Sequence, residues 1–116
     1  MKHIRILLCA AIAASFSTAT LAAPDVEAAK DLAQQNNCMQ CHGIKKDKDG
    51  PSFLKTAERL RGKAGAEEEI IKHITSGKKV KLADGTTEEH KIVKTIPPKD
   101  MAQMKNLAQY ILSTQP

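Results

Sequence analysis

Tryptophan is absent from this 116-residue sequence, and the other large aromatics amount to Tyr110, Phe16 and Phe53. So thin a supply of bulky side chains argues against a self-sufficient core, because a domain of this size buries a limited share of its surface and often needs a staple. Cysteine is nearly as scarce. Cys9, Cys38 and Cys41 are the whole set, and a bridge between Cys38 and Cys41 would close only a trivial loop, so a disulfide framework is excluded. No apolar run is long enough for a membrane span. The stretch Ile6 to Phe16 is about half the ~20 residues needed. Internal repeats and low-complexity tracts are missing as well. The formal charge is +5, but the lysines are spread along the chain with no aromatics between them, which does not describe a nucleic-acid surface. The composition thus asks for an apolar cofactor to fill the missing core volume.

What is present begins with an address. Lys2 and Arg5 precede the uncharged Ile6 to Phe16 run, and Thr20-Leu21-Ala22 fits the small-x-small rule for cleavage. This is the pattern of a secretory signal peptide spanning residues 1–22, cut after Ala22 or alternatively after Ala23. Cys9 would leave with it. The mature chain is then a single domain over residues 23–116, with a formal charge of +3 once Lys2 and Arg5 are removed, exported and without stable membrane insertion. In a bacterium this means the periplasm.

Helical periodicity recurs along the mature chain. Val26, Ala29, Leu32 and Ala33 share one face of a helix that Asp25 can cap and that ends near Asn36-Asn37. Phe53, Leu54, Ala57 and Leu60 mark a short second helix stopped by Gly62. Ile70, Ile71 and Ile74 mark a third, with Glu67, Glu68 and Glu69 in its first turn and Gly77 as its stop. The last helix follows Pro97-Pro98, with Asp100 as cap, Gln103 in the capping-box position and Met104, Leu107, Ala108 and Ile111 as its apolar stripe. Strand signals are weak. A long polar loop, carrying the Asp84-Gly85 turn and then Glu88-Glu89-His90, joins Gly77 to Pro97.

The chemistry sits at Cys38-Met39-Gln40-Cys41-His42. Cys-x-x-Cys-His is the attachment signature of c-type haem. Thiols three positions apart can reach the two vinyl groups on one porphyrin edge, and the next residue, His42, is then carried over the ring face as an iron ligand. A zinc site would need two more ligands at local spacing, and no second cysteine pair exists. A thioredoxin-like pair would need a preceding strand and a parallel sheet, neither of which is signalled. The expectation is one haem c per chain, covalently bound through Cys38 and Cys41.

These residues give a resemblance. The chain is similar to the small bacterial class I cytochromes c from Leu32 to Ser113, on the helix before CMQCH, Gly50-Pro51-Ser52-Phe53, Gly65-Ala66-Glu67, and Leu107-Ala108-Gln109-Tyr110-Ile111-Leu112. The resemblance implies an all-α fold of three to five helices around one covalent haem, with the first and last helices crossing. It also implies that a backbone carbonyl near Pro51 accepts the Nδ1 hydrogen bond of the proximal histidine. One feature departs from the family. Such proteins usually carry a methionine ligand just before the prolines, whereas here that position is Ile96, in Thr95-Ile96-Pro97-Pro98, and an alkyl group cannot bind iron. His90 lies in the loop that in the family brings the distal ligand, so it is the expected replacement. Met101 and Met104 are the alternatives, and His73 reads as surface or core filler on the third helix.

The expected function is a diffusible one-electron carrier between periplasmic redox proteins, with no enzymatic role because no acid–base constellation accompanies the motif. Lys45, Lys46, Lys48, Lys55 and Lys63 follow or flank the haem segment and could steer a partner with an acidic docking surface. A haem-based ligand binder or sensor with an open distal site, or a haem subunit of a periplasmic dehydrogenase or oxidase, are the rival readings. A monomer is the default state.

Overall fold

The computed structural model describes residues 23–116; the expected leader, residues 1–22, lies outside them. Four helices form the frame. α1 runs Val26–Gln35, capped by the Asp25 carboxylate, which accepts the N–H of Ala28 at 3.1 Å, and it buries Ala29, Leu32 and Ala33. α2, Phe53–Leu60, starts at Ser52, whose hydroxyl accepts the N–H of Lys55, and it buries Phe53, Ala57 and Leu60. α3, Ala66–Ser76, opens on three glutamates, turns Ile70 and Ile74 inward, and ends at Gly77, whose φ of 63° is the left-handed conformation that stops a helix cheaply only at glycine. α4, Met101–Leu112, packs against all three of the others and buries Met104, Leu107, Ala108, Tyr110 and Ile111.

The cap of α4 departs from the capping-box arrangement. Asp100 accepts the N–H of Gln103 at 3.1 Å as expected, but the Gln103 amide donates to Asp100 Oδ2 and to the Ile96 carbonyl. The Asp100 N–H goes instead to the buried hydroxyl of Thr95. The helix start is thereby tied to the segment before it. Further along α4, Asn106 exchanges two 2.8 Å hydrogen bonds with the backbone N–H and C=O of Asp25, joining the last helix to the start of the first.

The stretch read as a long polar loop contains a hairpin. β1, Lys79–Lys81, pairs antiparallel with β2, Thr87–Glu89, in the register Lys79↔Glu89, Val80↔Glu88, Lys81↔Thr87. Asp84-Gly85 makes the turn, with Gly85 at φ 86° and Thr86 N–H and Oγ1 both donating to Asp84 Oδ1. The all-α frame stands, and the hairpin is a small addition to it. Beyond β2 the chain is pinned by His90 N–H to Lys78 C=O at 3.0 Å and Val93 N–H to Ile74 C=O at 2.8 Å, with Val93 buried in the core.

Candidate haem-attachment site

The site is built at the C-terminal end of α1. Asn36 closes the helix, and Asn37 takes a left-handed conformation at φ 56°, which asparagine tolerates better than most residues. A single 3₁₀ turn, Cys38–Gln40, follows. The N–H groups of Cys41 and His42 both donate to the Cys38 carbonyl, at 3.2 and 3.0 Å, so both thiols and the histidine belong to one tight turn. Cys38 and Cys41 are half-buried free thiols, and Cys38 packs against the apolar core. Burial pushes the Cys38 thiol above its ordinary pKa, the neighbouring Cys41 adds to the rise, and a backbone hydrogen bond and Lys91 oppose it.

The His42 ring is fixed on several sides. Its Nδ1 lies 2.6 Å from the Pro51 carbonyl. A carbonyl only accepts, so Nδ1 carries the proton and Nε2 keeps its lone pair, the tautomer a metal-binding imidazole needs. Phe53 stacks on the ring at 5.9 Å and 30°, and Tyr110 meets Phe53 edge-on at 6.2 Å. Gly50 passes so close that a Cβ there would lie 2.7 Å from His42 Cε1. The loop carrying Pro51 is braced by Asp47, which accepts the Ser52 N–H and the Lys55 ammonium, each at 2.8 Å. Those two bonds, Lys55 first, hold its carboxyl below the usual carboxylate range.

His90 faces His42. The two ring centroids are 6.1 Å apart. Two imidazoles that approach one metal ion from opposite sides, through nitrogens each about 2 Å from it, have centroids about 6 Å apart. The Nδ1 of His90 lies 2.9 Å from the Lys91 carbonyl, so its Nε2 also keeps a lone pair. Burial lowers the His90 pKa, the Lys91 carbonyl opposes this and His42 adds to it, which favours the neutral ring that a metal can bind. Two thiols in one turn, the first of them against the apolar core, and two imidazoles with free Nε2 atoms at metal-sharing separation, are a donor set that fits a covalently attached haem.

The remaining candidates are placed as follows. Met104 is enclosed in the core, Met101 is exposed on the first turn of α4, and Ile96 is 89% exposed. Lys45, Lys46, Lys48, Lys55 and Lys63 are all exposed. Lys48 donates to the Met39 carbonyl of the motif at 2.6 Å, and Lys55 is paired with Asp47. His73, read from sequence as filler, instead joins the histidine pair: its ring is 4.3 Å from that of His90. Burial above all, then proximity to the protonatable or cationic groups His90, Lys78, His42 and Arg59, lowers its pKa to about 4. Two further contacts had no sequence signal. Asn36 accepts the N–H of Lys94 at 2.8 Å and donates to its C=O at 3.0 Å. Lys91 Nζ reaches Gln40 Oε1, inside the motif, at 3.3 Å. A histidine three residues from Ile70 and next to Ile74 sits at the edge of an apolar stripe, and that was the available clue to His73.

Comparison with known proteins points to one family. The family model for cytochrome c matches residues 26–115. Cytochrome c-552 of Hydrogenobacter thermophilus is 33% identical over 86 residues, covering 72% of this chain and 79% of that one. The crystal structure of the Class 1 cytochrome MtoD from Sideroxydans lithotrophicus ES-1 superposes with a TM-score of 0.73 at 52% identity, covering 79% of this chain and 98% of that one. The wild-type cytochrome c552 of Nitrosomonas europaea gives a TM-score of 0.58 at 26% identity, covering 74% of this chain and 99% of the other.

Proposed function

The chain belongs to the cytochrome c family, as a small class I member with one covalently attached haem c and the role of electron carrier, and from that premise we propose that it is an exported, periplasmic carrier whose iron is held between His42 and His90. The haem supplies a one-electron couple. The protein's own residues do the rest. Cys38 and Cys41 would hold the ring as thioethers. His42 and His90 would each offer Nε2 to the iron, the first oriented by the Pro51 carbonyl and the second by the Lys91 carbonyl. The observation that carries the His90 assignment is the 6.1 Å separation of the two rings; Met104 in the core and Met101 on the outer surface of α4 are less well placed. A second imidazole in place of a thioether sets the potential below that of methionine-ligated relatives, since methionine raises it.

The residues around the attachment loop support a docking face. Lys45 and Lys46 are exposed beside the motif, with Lys63 on the turn after α2, and a partner with an acidic surface would be steered toward them. No helix of the described residues is long and apolar enough to cross a membrane, and export rests on the pattern of residues 1–22. A monomer that exchanges electrons by transient encounter is the working state, with no catalytic step of its own.

The test of the distal assignment is the ferric absorption and electron paramagnetic resonance spectrum of His90→Ala. Removal of the resident ligand should shift both away from those of wild type. Spectra identical to wild type would remove His90 from the site and return Met101 and Met104 to consideration.

A further inference from the structure

We propose that His73 is a second distal nitrogen ligand, held beside His90 and able to take the axial position on the iron when His90 leaves it. The inference rests on the reading of His90 as the resident ligand and adds a residue to that site. The His73 and His90 rings are 4.3 Å apart, tilted by 56°, and His90 in turn faces His42 at 6.1 Å. His73 is half-buried, and among the described residues its ring nitrogens take part in no hydrogen bond, whereas His42 and His90 each have Nδ1 committed to a carbonyl. An imidazole that makes no hydrogen bond, packed against a ligand, is poorly explained as filler.

The two distal histidines stand on different supports. His73 is on α3, fixed by Ile70 and Ile74 in the core. His90 is on the segment after the hairpin, which is pinned at the end of α3 by the backbone bonds of His90 to Lys78 and of Val93 to Ile74 and is otherwise held by exposed contacts, Asn36 with Lys94 and Lys91 with Gln40. Lifting that segment would carry His90 away and leave His73 behind. In the exchange one iron–nitrogen bond breaks and one forms, with His73 giving its lone pair as His90 withdraws its own. Oxidation state, proton count and ligand class are unchanged, so the iron remains low-spin. The consequence is a carrier whose distal segment can be displaced, for example by a docked partner, without opening the iron to small molecules.

Four holoproteins test this: wild type, His73→Ala, His90→Ala and the double variant, all retaining haem through the thioethers. Ferric absorption and electron paramagnetic resonance spectra are expected to be low-spin for the first three, with His90→Ala shifted from wild type. The double variant should be high-spin and bind imidazole at least tenfold more tightly than His90→Ala. Return of its low-spin spectrum on adding imidazole would show that the haem pocket is intact. A high-spin His90→Ala overturns the His73 proposal and leaves the His90 reading standing. A low-spin double variant that matches wild type overturns both.

Discussion

Gly50 lies where no side chain fits. A Cβ at that position would come within 2.7 Å of His42 Cε1 and 3.0 Å of Nδ1, so the backbone passes close against the Nδ1–Cε1 edge of the ring that the Pro51 carbonyl orients. Gly50→Ala should therefore tilt His42 away from its 2.6 Å hydrogen bond and lower the low-spin fraction of the ferric protein, read by its absorption spectrum. A spectrum identical to wild type would mean that the ring tolerates displacement and that its orientation is not set here. The same scale shows what sequence could reveal. Cys38, Cys41 and His42 stand in a local motif whose chemistry depends only on spacing, and Pro51 and His90 stood out because the family resemblance points to their segments. His73 could not be read in this way. Its approach to His90 depends on how α3 lies against the hairpin, a tertiary fact that leaves no trace beyond a histidine at the edge of an apolar stripe.

Among the elements, the segment from β1 to α4 differs most from expectation. Its strands are three residues each, and β2 is exposed throughout, so neither carries the apolar alternation by which a half-buried strand is recognised. Pairing is set instead by the Asp84-Gly85 turn and by Lys79 opposite Glu89. The four helices were legible because each has an apolar stripe and a recognisable stop or cap, as with Asp25, Asp100 and Gly77. The distal segment is fixed by side chains remote in sequence, above all Asn36, whose amide spans the N–H and C=O of Lys94. Asn36→Ala removes both bonds. Solvent-accessible hydrogen bonds contribute modestly, so a loss of about 1–2 kcal/mol is expected in chemical denaturation. The ferric low-spin spectrum should shift part of the way toward that of His90→Ala, because the segment bearing His90 is less firmly held. A stability loss with an unchanged spectrum would separate the clamp from the ligand.

For the molecule as a whole, the shortage of aromatics returns as a structural fact. Phe53 and Tyr110 are the large rings of the core, and the largest fully buried side chains are Leu60 and Leu107. A chain with so little bulk gains much of its stability from the group it binds, since anything held by the folded state alone draws the equilibrium toward it. The haem-free protein, produced as Cys38→Ala/Cys41→Ala so that no thioether forms, should accordingly show weak helical circular dichroism and no sharp thermal transition. A cooperative melt of the haem-free variant would contradict that dependence.

The most direct test of the account is a spectroelectrochemical titration of the mature holoprotein through its full range of potential. It predicts a single reversible one-electron transition, low-spin iron in both oxidation states, no thioether-to-iron charge-transfer band in the ferric spectrum, and a midpoint below that of methionine-ligated relatives. A high-spin resting ferric form would contradict it in favour of a ligand binder, and a thioether band would contradict it in favour of methionine as the distal ligand.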